Sequence, residues 1–107
     1  MFVTSDGSPY RRFQLALQRG NLRMIELAAK ELPRVPLGDA LTIVVLMERN
    51  EDERFDRAAA RWVARLILEV AAVGIEDARR ALDALDRLPD DAAQQALSAT
   101  CARLGLR

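Results

Sequence analysis

The chain has 107 residues, half of them hydrophobic, with 16 basic and 16 acidic side chains, one cysteine and no histidine. That length is the size of one domain, and the missing histidine excludes imidazole acid–base chemistry, triads with a histidine base and zinc sites built on imidazole. One cysteine excludes an internal disulfide and a CxxC redox pair, and zero net charge lacks the basic footprint of a generic nucleic-acid binder.

Aromatic residues are scarce, and Ala and Leu carry most of the apolar content, which favours close-packed helices. Residues 1–8 read as a flexible lead-in to a single helical domain over 9–107. Ser8-Pro9 is a helix start, with Ser as cap and Pro at the first helical position. The first helix is expected over about 9–19, with Phe13 and Leu17 inward and Tyr10 beside them, and Gly20 stops it. Asn21 caps a second helix, about 22–32, whose apolar face is Leu22, Ile25, Ala28, Ala29 and Leu32, and Pro33 and Pro36 end it.

A third helix, about 39–49, begins at Asp39 and is apolar nearly all round, so it is expected at the centre; its β-branched content makes a short buried strand the competitor. A long fourth helix over about 52–73 opens at Asn50 or Asp52 and ends at Gly74. The fifth, about 75–88, places Ile75, Ala78, Leu82 and Leu85 inward, with Glu76/Arg80 and Asp83/Arg87 as outer pairs. Pro89 breaks it, and Asp90 and Asp91 suit the start of a sixth helix that runs to about 104 before Gly105. The reading is all-α, a compact bundle of about six helices. Gly20 and Gly74, with Pro36 and Pro89, also allow two three-helix units stacked like a short helical repeat.

No phosphate-cradling GxxxxGK[ST] or GxGxxG sequence occurs. Glu48, Glu51, Asp52, Glu53 and Asp56 cluster between helices three and four, but without the spacing or glycine of a calcium loop; carboxylates at a helix start are the simpler account. Cys101 reads as a small buried hydrophobe. A non-enzymatic protein without cofactor, metal or small-molecule ligand is therefore expected, with a small-ligand or metal binder whose pocket the sequence does not reveal as a second alternative. Residues 1–12 lack the basic start and apolar run of a signal peptide, and no apolar run approaches a membrane span, so a cytoplasmic location away from membranes is expected.

Two surfaces stand out. Arg54, Arg57, Arg61 and Arg65 recur at +3, +4 and +4 and share one helical stripe, beside an apolar face with Trp62, the single tryptophan. Arginine forks match carboxylates and phosphates, so this stripe is the candidate surface for a protein partner or a second copy of the chain. Glu53/Arg57 and Arg65/Glu69 are spaced as local ion pairs, which leaves Arg54 and Arg61 as its sharper members. The second surface is basic: residues 1–37 carry six basic and three acidic side chains, against ten and thirteen over 38–107. Arg11, Arg12, Arg19 and Arg23 form this secondary patch, and a nucleic-acid-associated regulator is the alternative it supports. A helix-turn-helix reader is disfavoured, because the third helix offers Leu, Ile and Val where base-reading side chains are needed.

Overall fold

A computed structural model describes residues 8–106; the first seven residues of the expected lead-in lie outside them. It contains six α-helices: α1 (Pro9–Arg19), α2 (Leu22–Ala29), α3 (Leu37–Arg49), α4 (Phe55–Glu69), α5 (Ile75–Asp86) and α6 (Asp91–Arg103). The described residues contain no strand, and 41–47 are helical, so the chain is all-α. The helices form two compact units, divided in sequence between Val35 and Pro36. The units hold two and four helices, not three and three, and the two glycines of the expected repeat do different work. Gly20 closes α1 in the left-handed conformation, at φ 71°, whereas Gly74 stands extended at the start of α5.

The first unit is a helical pair. The Ser8 hydroxyl accepts from the backbone N–H of Arg11, and Pro9 takes the first helical position. Asn21 caps α2 by accepting from the N–H of Met24. α2 stops at Ala29, three residues earlier than its apolar spacing suggests, because Leu32 precedes Pro33 and is pushed out of helical geometry. Phe13 and Ala16 of α1 and Ile25 of α2 are the buried residues of these two helices, and Tyr10 stacks on Phe13 at 6.1 Å. Leu17 is only partly buried, because Ala16 holds the innermost position. One ion pair ties the helices together, Arg12 Nη2 to Glu31 Oε1 at 2.6 Å.

The second unit has one core, fed by Leu37, Leu41 and Val44 of α3, Trp62, Val63 and Leu66 of α4, Ala81 and Leu85 of α5, and Leu97 of α6. α3 packs on α4, α4 on α5, and α5 on α6. The inner helices of this run are thus α4 and α5, and the more apolar α3 lies at its end. α3 buries only Leu37, Leu41, Val44 and Met47, while Ile43, Val45 and Leu46 keep partial exposure.

On α4 and α5, two boundaries and one face differ from expectation. α4 is shorter at both ends: it starts after Arg54 and closes at Val70, and the chain turns through 71–73. Asp52 does not cap α4 but accepts the N–H of Arg54 in the preceding turn. On α5 the buried face is Ala78, Ala81, Ala84 and Leu85, leaving Ile75 and Leu82 outward at 79% and 47% exposure. Alanines let neighbouring backbones approach more closely than leucines would, and the packed face follows them. The outer pair near Ile75 forms between Glu76 and Arg79 in place of Arg80, while Asp83–Arg87 forms as expected at 3.3 Å.

α3 ends in a Schellman turn. The N–H of Asp52 reaches Met47 O at 2.9 Å and the N–H of Glu51 reaches Glu48 O at 3.0 Å. Glu51 takes the left-handed position with φ 52°, where glycine is the usual occupant.

Candidate interaction surface

The arginine stripe on α4 resolves into four different environments. Arg54 lies just outside the helix and folds back on Asp52, with Nε to Oδ1 at 3.0 Å and Nη2 to Oδ2 at 2.7 Å. That fork and the backbone N–H of Arg54 lower the Asp52 carboxyl to about 2. Arg65 makes a second fork, to Glu69, at 2.7 and 3.1 Å. Arg57 and Arg61 form no ion pair among the described residues; the expected Glu53–Arg57 bridge is absent, because Glu53 precedes the first turn of α4 and is not on its surface. Arg57 and Arg61 are the members of the stripe that remain open to a partner.

Trp62 is not on that surface. It is 2% exposed, and its indole N–H donates to Leu37 O at 2.8 Å, pinning α4 to the first turn of α3. On the outward face, Ala60, Ala64 and Leu68 follow one another at four-residue steps beside Arg57 and Arg61, and all are exposed. Leu68 is 84% exposed and its neighbour Ile67 52%. These two were missed in the sequence, though their positions off the Ala59–Trp62–Leu66 stripe were the available signal.

The secondary basic patch is divided. Arg12 and Arg19, seven residues apart, share one side of α1, and Arg12 is engaged with Glu31. Arg11 lies about 100° around the helix from Arg12, and Arg23 is on α2. The structure does not gather the four arginines on one helix face.

The acidic junction lines a cavity of about 330 Å³ with Glu48, Glu51, Asp52, Glu53, Asp56 and Asp86. Among the described residues no three such side chains group closely enough to hold a metal ion, and Asp52 is committed to Arg54. Cys101 is half-buried, and that burial pushes its thiol pKa upward, away from the reactive thiolate. No helix is long and apolar enough to cross a membrane. The chain is thus an all-α protein whose prominent surface features are helical faces. No family model, curated protein or solved structure matches it.

Proposed function

We propose that this chain is a non-enzymatic interaction protein whose contact surface is the outward face of α4. One observation carries the reading: Arg61 and Arg57, without ion pairs among the described residues, stand about two and three turns from an exposed Leu68 on the same face. A scattered apolar residue on a surface is ordinary. Here it is continuous with the small Ala60 and Ala64, which let a second helix approach, and it is flanked by guanidinium groups suited to carboxylates. The partner this face suits is a helix with acidic residues opposite Arg57 and Arg61 and an apolar residue opposite Leu68.

The test compares the wild-type chain with Arg57→Glu/Arg61→Glu and with Leu68→Asp. Native mass and the proteins retained from an extract of the source cells are measured for each. All three positions are exposed, so melting temperatures should stay together while the variants lose a partner or a self-associated species. An identical mass and partner profile in all three chains would overturn the reading.

A further inference from the structure

The first unit carries an open trough of about 320 Å³ between α1 and α2. Its floor is Leu15, Ala16 and Ala28, and Met24 and Leu27 stand along one edge at 50% and 52% exposure. The Arg12–Glu31 bridge closes the end away from the α1–α2 turn. Arg19, at the turn end, forms no ion pair among the described residues. We infer that this trough is a docking groove for an amphipathic helix of another protein, one that carries carboxylates beside its apolar anchors.

Shape, surface and charge agree on that occupant. A groove running between two helices accepts apolar side chains spaced one turn apart, which is how an amphipathic helix presents them. Met24 adds an unbranched side chain that adapts to different anchors. The residues through Val35 hold six basic side chains against three acidic ones, so an approaching helix is favoured when it is acidic. Arg19 supplies a guanidinium at the groove end for one such carboxylate. The apolar lining, which includes the exposed Met24 and Leu27, selects protein over nucleic acid, whose phosphates would gain nothing from these two side chains. The groove is lined by residues of the first unit alone, and the inference does not rest on the α4 face.

The experiment titrates isotope-labelled full-length chain with synthetic helical peptides and follows backbone amide shifts. One peptide carries leucines one and two turns apart flanked by glutamates, a second has lysines in place of the glutamates, and a third has serines in place of the leucines. A short single-stranded oligonucleotide is the fourth probe. The glutamate–leucine peptide is expected to bind best and to move the amides of Leu15, Met24 and Leu27. Leu27→Asp and the milder Leu27→Gln should each weaken it by roughly tenfold or more, and Arg19→Glu should abolish its advantage over the lysine peptide. Both residues are exposed, so unchanged melting temperatures would separate lost binding from lost folding. The inference fails if the glutamate–leucine peptide moves no groove amide at millimolar concentration, or if the lysine or serine peptide or the oligonucleotide binds as well. Shifts confined to α4, or a dimer that Leu27→Asp dissolves, would also overturn it. Those last two results would support the α4 surface or a second copy as occupant instead.

Discussion

The indole of Trp62 and the carbonyl of Leu37 meet at 2.8 Å inside the second unit, across 25 positions of sequence. Leu37 opens α3 without a side-chain cap, after Pro36. The bond therefore anchors a helix start that has no side-chain cap, and it satisfies the indole donor in a buried site. Trp62→Phe keeps an aromatic ring but removes the donor and part of the packed volume. A loss of about 2 kcal/mol is expected from urea unfolding followed by circular dichroism, with Trp62→Ala costing more.

Glu51 offers the opposite outcome. A side chain at φ 52° bears a left-handed penalty that glycine escapes. Glu51→Gly is expected to stabilise the protein by about 1 kcal/mol, because the Schellman bonds of Glu51 and Asp52 use backbone atoms alone. Glu51→Val should destabilise it. Melting curves of the two variants on either side of wild type would establish the point, and two curves on the same side would contradict it.

Acid sensitivity should be traceable to two aspartates. Asp52 drops from 3.8 to about 2 on folding, first through the Arg54 side chain and then through its N–H. Asp77 is also lowered, first by the Gly74 N–H and then by Arg103. A carboxyl with a depressed folded pKa stabilises the fold above its unfolded value, and that contribution disappears as pH falls through the folded value. For Asp52 the window lies between pH 3.8 and about 2. Asp52→Asn should flatten the decline of stability across that window, measured as unfolding midpoint against pH. An unchanged slope would remove Asp52 as a contributor.

The face of α5 can be tested by paired substitutions. Ala81 is fully buried, so Ala81→Leu overpacks the core and is expected to cost roughly 1–3 kcal/mol. Ile75 is mostly exposed, so Ile75→Ser should change stability by no more than about 0.5 kcal/mol. The reverse ranking would place the buried face where the leucine spacing first suggests it.

Much of this protein is local and was legible from the chain alone. Ser8, Asn21 and Asp90 start helices because their side-chain oxygens accept nearby N–H groups, and Gly20 ends one because it tolerates positive φ. All-α architecture and the positions of six helices follow from such short-range chemistry. The tertiary structure decided what depends on partners distant in sequence. Periodicity shows that a helix has an apolar side but does not say which of two such sides packs, and on α5 the closer fit of Ala81 and Ala84 left Ile75 and Leu82 outside. Spacing likewise allowed Glu53 to reach Arg57, until α4 began two residues later and Glu53 fell off its surface. The same packing withdrew Trp62 from the arginine stripe, and Asp52 and Glu69 engaged Arg54 and Arg65. What remains of that stripe is Arg57 and Arg61 beside Leu68, a grouping determined by which face of α4 its neighbours leave uncovered.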